Sequence, residues 1–191
     1  MSNTKITHSF KYDCYDVDYL LNDCLKLSTF MNRLRKQSYE EPNRFDPDVY
    51  FGNGFEALGE YFIRTHGLMK EVQIKDYVPV EVSDFGVDGY GYTGSGEIAT
   101  VQFKARSNSD SILTANRDHI SNFVAHSHSK YGGDSKVKHM TLITNAQDLH
   151  HAVAESMYAG EVRVIGNRDL RGFLDNNPMF WPGLRDELKC K

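Results

Sequence analysis

Cysteines and long apolar runs are both scarce in this chain of 191 residues. The three cysteines, Cys14, Cys24 and Cys190, are odd in number and lack the spacing of a zinc finger, so we expect free thiols and no disulfide framework. No stretch approaches the roughly 18 apolar residues that a membrane-spanning helix needs. Residues 1–10 lack the basic start and the apolar run of a secretory signal. We therefore expect a cytoplasmic protein without a membrane partner.

Positive charge is also in short supply. The chain has 22 Lys and Arg residues against 26 Asp and Glu residues, which gives a formal net charge of -4 at pH 7. This balance argues against a general positive coat for binding nucleic acid without sequence preference. One segment is nevertheless locally basic, and a phosphate backbone would be attracted there. Its basic residues are Lys104, Arg106, Arg117, Lys130, Lys136 and Lys138.

The overall composition is that of a soluble globular protein. Hydrophobic residues make up 40% of the chain and charged residues 25%, which is the usual balance for that class. A chain of this length can bury the core of one ordinary domain and leaves little room for a second. We expect an N-terminal helical extension over residues 1–48 and a single domain over residues 49–191.

Helical spacing of apolar residues dominates the first third of the chain. In residues 16–35 apolar side chains recur every three or four positions, which predicts one or two helices. A further helix is predicted over residues 49–65, with Gly67 as its stop. Glu56 and Glu60 are four residues apart, so they share one face of that helix.

Short β-rich segments follow Gly67. The pattern predicts strands over residues 71–82, 85–92 and 97–105, with a hairpin turn at residues 94–96. Beyond them it predicts helices over residues 111–129, 146–158, 168–174 and 182–188, and strands over residues 137–144 and 161–165. Strands that first meander and then alternate with helices predict an α/β fold, a mixed sheet flanked by helices.

Two neighbouring predicted strands carry side chains suited to metal-dependent phosphodiester cleavage. Asp88 lies near the start of the hairpin, and Gln102 and Lys104 are two residues apart on the next strand, so they face the same side. Mg²⁺ needs only one or two carboxylates together with carbonyl oxygens, because it keeps several waters. A lysine at such a point can position or deprotonate water and stabilise an anionic transition state. Glu56, on the preceding helix, is expected to hold a metal-bound water.

In their order along the chain, these residues resemble the PD-(D/E)xK nucleases, and within them the Mrr-type restriction endonucleases. The resemblance covers roughly residues 50–175 and implies a restriction-endonuclease-like fold and a Mg²⁺-dependent deoxyribonuclease, with Mn²⁺ able to substitute for Mg²⁺. DNA is the implied partner. The motifs that carry the resemblance are Gly54-Phe55-Glu56, Asp84-Phe85-Gly86-Val87-Asp88 and Val101-Gln102-Phe103-Lys104, with weaker likeness over residues 141–145 and 164–170.

The resemblance also implies a role for each site residue. Asp88 corresponds to the metal-binding aspartate, Lys104 to the motif lysine, and Gln102 to a position where many relatives carry a second acid and Mrr-like members often carry glutamine. The main-chain carbonyl of Phe103 and the side chain of Glu56 complete the implied metal ligands. The residues expected to contact the substrate are Arg106, Arg117 and Asp84.

Several alternatives stay open at this point. Gln102 removes one negative charge, so a catalytically weak or inactive module that binds nucleic acid or a protein partner is the second hypothesis. RNA or branched DNA could replace duplex DNA as the substrate, because a catalytic core does not reveal the substrate's shape. Glu60 replaces Glu56 if the helix is turned otherwise, and Asp84 is equally a strand-end residue. We expect a homodimer, with the helices of residues 13–37 either dimerising or gripping substrate.

Overall fold

The protein is described by a computed structural model that covers residues 15–40, 46–67, 69–84, 86–106, 112–113, 117–133, 137–149, 160 and 162–189. The chain divides into two compact units. One takes the residues up to Tyr61 and those from Arg168 onward, and the other is Phe62–Asn167. The domain boundary at residue 48 stays a prediction.

Helices form the first unit. They are α1 (Val17–Leu21), α2 (Leu27–Glu40), most of α3 (Pro47–His66), and the C-terminal helices Asn167–Leu174 and Phe180–Lys189. Asp16 caps α1 by accepting a hydrogen bond from the Tyr19 main-chain N–H at 2.9 Å. The core of this unit contains Phe30 and Trp181, whose ring centroids are 5.8 Å apart. The helices predicted in residues 16–35 and 49–65, and the two predicted near the C-terminus, are confirmed.

A five-stranded mixed sheet forms the centre of the second unit, among the residues described. Its order is β1-β2-β3-β5-β7, with antiparallel pairing from β1 to β3 and parallel pairing from β3 to β7. The described strands of this unit are β1 (Lys75–Asp84), β2 (Val87–Tyr92), β3 (Ile98–Lys104), β4 (Ile112–Leu113), β5 (His139–Thr144), β6 (Asp148–Leu149) and β7 (Val162–Ile165). The α/β class and the five longer strands are therefore confirmed.

One face of this sheet is packed against helix α4 (Arg117–His126) and the π-helical turn Ser127–Tyr131 that continues it. Buried side chains of the helix, such as Phe123 and Val124, belong to the same core cluster as Met140 and Leu142 of β5. A buried hydrogen bond of 2.8 Å joins the hydroxyls of Thr100 on β3 and Ser127 in the turn. The sheet and helix thus share one core on this face.

Two of the predicted helices differ from the structure. One begins later than predicted, and the other is replaced by a short strand at its described residues. The helix predicted over residues 111–129 starts only at Arg117, because Ile112–Leu113 pairs in parallel with Asp148–Leu149. The prediction of a helix over residues 146–158 is wrong at residues 148–149, and residues 150–159 lie outside the described residues. A two-residue strand is too short to show any periodicity, and its hydrogen bonds come from a distant segment.

No helix in the described parts of the chain is long and apolar enough to cross a membrane.

Candidate functional site

One edge of the sheet, which we call the carboxyl edge, holds four residues of the predicted site, namely Asp88, Gln102, Phe103 and Lys104. Here the parallel strands β3, β5 and β7 end, and the antiparallel strand β2 begins. In open α/β sheets ligands bind beyond the carboxyl ends of parallel strands, because main-chain groups and loop side chains converge there. Asp88 on β2 and Lys104 on β3 both lie at this edge.

Asp88 is bonded directly to the strand that carries the other candidates. Its Oδ2 atom accepts a hydrogen bond from the Phe103 main-chain N–H at 2.6 Å. The described β2–β3 pairing ends at Gly89 and Val101, so the next main-chain partner of Phe103 in a regular ladder would be Val87. The Asp88 carboxylate accepts the hydrogen bond from the Phe103 N–H in place of Val87.

The same bond fixes the direction of the Phe103 carbonyl. In an antiparallel pair the N–H and C=O of one residue point towards the same neighbouring strand. Since the N–H of Phe103 is directed at Asp88, its carbonyl oxygen also faces the β2 side, where the pairing stops. A carboxylate and a main-chain carbonyl are therefore directed into the same region.

Gln102 and Lys104 lie on the face of β3 that also carries Thr100, because side chains two apart on a strand share a face. The register that pairs Gly89 with Val101 brings Asp88 opposite Gln102 on the adjacent strand. Gln102 is 1% exposed, whereas Lys104 at the strand end is partly buried. The structure thus brings an acid, an amide and an ammonium group to one face of two neighbouring strands.

The Gln102 side chain packs against a glycine that no larger residue could replace without strain. A Cβ atom added to Gly86 would lie 2.6 Å from Nε2 of Gln102, and the φ angle of Gly86 is +102°. The close approach of Gln102 and the backbone conformation at this position therefore both depend on glycine.

The substitution Gly86→Ala is expected to lower the free energy of unfolding by about 1–3 kcal/mol, because the φ angle is unfavourable for alanine and the buried amide of Gln102 must shift. The matched control is Gly96→Ala, since Gly96 has φ +84° with nothing within 4 Å of an added Cβ. Urea unfolding of both variants separates the two causes. Equal losses in the two variants would show that the Gln102 contact contributes nothing.

Buried side chains fix the main chain at Lys104 and at Arg106. Asn145, 1% exposed, accepts from the Arg106 N–H through Oδ1 and donates to the Arg106 carbonyl through Nδ2, both at 2.6 Å. Thr144 donates its hydroxyl to the Lys104 carbonyl at 2.7 Å. Asn167 donates its side-chain amide to the Asn145 carbonyl at 2.7 Å. These bonds tie the ends of β3 and β5 to the segment after β7.

Replacing Asn145 by alanine is expected to reduce the free energy of unfolding by about 2–4 kcal/mol, because two main-chain groups of Arg106 lose their partner. Chemical denaturation measures this directly. Asn176→Ala is the matched control, since exposed Asn176 makes one side-chain bond to the Gly172 carbonyl at 3.0 Å. Similar losses for both variants would contradict a special role for Asn145.

The remaining predicted residues are less fully described. Asp84 is the last residue of β1 and pairs with Val87, and Arg117 is the first residue of α4, but their side chains lie outside the described residues. Glu56 belongs to the first unit, where it is partly buried on α3, and Glu60 is fully buried. The roles assigned to these residues stay predictions.

The oxygen donors at the carboxyl edge suit a hard cation. Mg²⁺ takes one or two carboxylates with neutral oxygen ligands, and Asp88, Gln102 and the Phe103 carbonyl are of these types. An ionised carboxylate has acceptor sites on both oxygens, so the Asp88 side chain is suited to more than the one bond from Phe103. Within the part of the chain that the structure describes, no three His, Cys, Asp or Glu side chains are grouped as a metal site. A cation here would therefore depend on neutral ligands and water.

The chain matches no protein-family model, no curated protein and no solved structure. The predicted restriction-endonuclease-like fold and the predicted nuclease activity therefore stay predictions that rest on the residues of the site.

Sequence reasoning assigned no role to Gly86, Thr144, Asn145 and Asn167. Thr144, Asn145 and Asn167 could have been identified from their positions, because they lie at or after the ends of two apolar runs predicted as strands. Such residues often close strand ends by bonding to the main chain. Their partners across the sheet could not be read from the sequence.

Proposed function

We propose that the unit Phe62–Asn167 hydrolyses phosphodiester bonds in DNA with Mg²⁺, through a PD-(D/E)xK type of site on a restriction-endonuclease-like fold. One observation carries the proposal. The carboxylate of Asp88 accepts a hydrogen bond from the main-chain N–H of Phe103, and the residues on either side of Phe103 are Gln102 and Lys104. Acid, amide and ammonium groups in this order match the chemistry that phosphodiester cleavage needs.

Each residue of the site has a separate role in the proposed reaction. Lys104 attracts the scissile phosphate, orients the attacking water and stabilises the negative charge that builds on the phosphate. Water attacks phosphorus, the bond to the leaving oxygen breaks, and that oxygen takes up a proton. Asp88, Gln102 and the Phe103 carbonyl would hold Mg²⁺. When bound, Mg²⁺ supplies charge neutralisation at the phosphate and eases deprotonation of the water.

A precisely held main chain supports this role of Lys104. The bonds from Thr144 and Asn145 fix the carbonyl of Lys104 and both main-chain groups of Arg106. Displacements of about 1 Å at a reacting group can reduce a rate by roughly a hundredfold, so such support is what a catalytic lysine requires. Arg106 adds a second positive charge two residues after Lys104, which would attract a phosphate backbone.

A second candidate function is a module that binds nucleic acid or a protein partner without cleaving it. The hydrogen bond from Phe103 gives Asp88 a structural role that needs no cation, and Gln102 contributes no charge. Binding by such a module would be equally strong with and without Mg²⁺. The two candidates therefore differ in a measurable property.

The experiment that separates them is digestion of end-labelled substrates by the purified protein. Single-stranded, double-stranded and branched DNA, and RNA of the same sequence, are incubated with Mg²⁺, Mn²⁺ or EDTA. We expect cleavage of DNA with Mg²⁺ or Mn²⁺ and none with EDTA. Binding of these substrates without cleavage under every condition would favour the second candidate and overturn the first.

A further inference from the structure

A cleft of about 450 Å³ opens at the other end of the same sheet. Its walls are the loop before β1, the hairpin turn between β2 and β3, and the start of β5. Since β3 has 7 residues, the cleft is separated from Lys104 by roughly 20 Å along the strand. The side chains that matter for its chemistry are those of Lys70, Gln73, Lys75, Ser95, Glu97 and His139.

The cleft is lined by more basic than acidic side chains. Neither Lys70 nor Lys75 has an ion-pair partner among the residues that the structure describes. The acid in the cleft, Glu97, is engaged elsewhere: it bonds to Lys138 at 2.9 Å and to His139 at 3.2 Å. Two ammonium groups are thus left facing the cleft without a carboxylate of their own.

Glu97 is an anion whose charge is already compensated. The hydrogen bonds from Lys138 and His139, with a third from Ser95, hold the pKa of Glu97 below its ordinary value. At neutral pH its carboxylate therefore stays ionised and keeps these partners. Glu97 lines the cleft, and among the described residues its ion pairs are with Lys138 and His139 and not with Lys70 or Lys75.

Hydrogen bonds anchor the described residues of the loop that carries Lys70 and leads to Lys75, the first residue of β1. The Ile74 N–H donates to the Gly67 carbonyl at 2.7 Å, which closes the loop. Arg163 on β7 donates to the carbonyls of Lys70 and Glu71 at 2.9 and 2.8 Å. A loop fixed by bonds from a neighbouring strand loses little entropy when a ligand binds.

One residue of this loop is also strained. Gln73, which lines the cleft, has φ +55°, in the left-handed region that residues other than glycine adopt at a cost of about 1 kcal/mol or more. Such strain persists only where the surrounding structure imposes it, and it is concentrated at ligand sites. Gln73 lies between Lys70 and Lys75 in the sequence, and all three residues line the cleft.

We infer that this cleft binds a phosphomonoester, at a site separate from the carboxyl edge. A phosphomonoester is close to a dianion at neutral pH and accepts several hydrogen bonds, which suits two ammonium groups beside the side-chain amide of Gln73. The volume lies within the range of small-molecule sites, so a nucleoside monophosphate would fit. A free nucleotide and the phosphorylated end of a nucleic-acid strand offer the same chemistry.

The inference is tested by calorimetric titration of the whole protein in a metal-free buffer without phosphate. The paired ligands are adenosine 5′-monophosphate against adenosine, and an oligonucleotide with against without a 5′-phosphate. We expect binding that depends on the phosphomonoester. Binding of the phosphorylated oligonucleotide with no binding of the nucleotide would identify the strand end as the source of the group.

The double variant Lys70→Gln/Lys75→Gln is expected to raise the Kd by about tenfold or more, as two charged contacts are lost. Exposed Lys70→Gln alone gives a smaller rise and keeps the test valid if the double variant does not fold. Lys36→Gln, which changes an exposed lysine of the first unit, should bind as the wild type does.

Three results would overturn the inference. They are binding that does not depend on the phosphate, unchanged affinity in the folded double variant, and loss of nucleotide binding in Asp88→Asn. The last would show that the ligand occupies the carboxyl edge. Because cleavage is not measured, failure of this site leaves the proposed nuclease activity standing, and failure of the nuclease leaves this site standing.

Discussion

Lys104→Ala is expected to reduce Mg²⁺-dependent DNA cleavage by at least about a hundredfold, the usual contribution of a positioned acid, base or charge at the reacting group. The substitution removes the ammonium group at the end of β3, while the main-chain bond from Thr144 to the Lys104 carbonyl can persist. The fold and its thermal stability should therefore change little. Single-turnover cleavage of labelled DNA, with circular dichroism of the same samples, measures both.

The control for this variant is Lys36→Ala, purified in the same way. Lys36 is an exposed lysine of α2 that pairs with Glu40 at 3.5 Å, so its loss tests for a general effect of removing positive charge. It should cleave DNA at the wild-type rate. Cleavage by Lys104→Ala at the rate of this control would exclude Lys104 from the catalytic site.

Two substitutions of Asp88 should affect activity and stability differently. Asp88→Asn retains an oxygen that can accept the Phe103 N–H, so the free energy of unfolding should fall by about 1 kcal/mol or less, while cleavage is lost with the negative charge. Asp88→Ala leaves that N–H without its partner and should cost about 1–3 kcal/mol in addition to abolishing cleavage. Urea unfolding and cleavage assays of the two variants give the four values needed.

This pair distinguishes a metal ligand from a residue that only closes the strand pairing. If the hydrogen bond were the sole role of Asp88, the asparagine variant would keep full activity. Asp186→Asn is the control, since Asp186 has an exposed side chain in the first unit. It should alter neither cleavage nor unfolding.

The local part of the candidate site could be predicted from the sequence. The alternation in residues 101–104 requires Gln102 and Lys104 to share one face, and the hairpin signal at residues 94–96 brings the preceding strand alongside. The structure has both features, with Gly89 opposite Val101 and the turn closed by a hydrogen bond from Thr93 to the Glu97 carbonyl at 2.8 Å. Such features depend on neighbouring residues only.

The support of the site could not be predicted, because it comes from residues distant in the sequence. Asn145 contacts Arg106 because β3 and β5 pair in parallel, with Lys104 beside Thr144. The register of two parallel strands leaves no signal in the local sequence. The contact between Gly86 and the side-chain amide of Gln102 also joins two residues that are separate in the chain, and the sequence carries no signal for it. The cleft at the opposite edge likewise joins three segments that are separate in the chain.

Diffraction from crystals soaked in Mn²⁺, recorded at the manganese absorption edge, tests the central claim most directly. The anomalous signal locates the cation without reference to activity. We expect a peak at the carboxyl edge, about 2.1 Å from a carboxylate oxygen of Asp88 and from the Phe103 carbonyl oxygen. A peak elsewhere, or none at Asp88 at a Mn²⁺ concentration that supports DNA cleavage, would contradict the account.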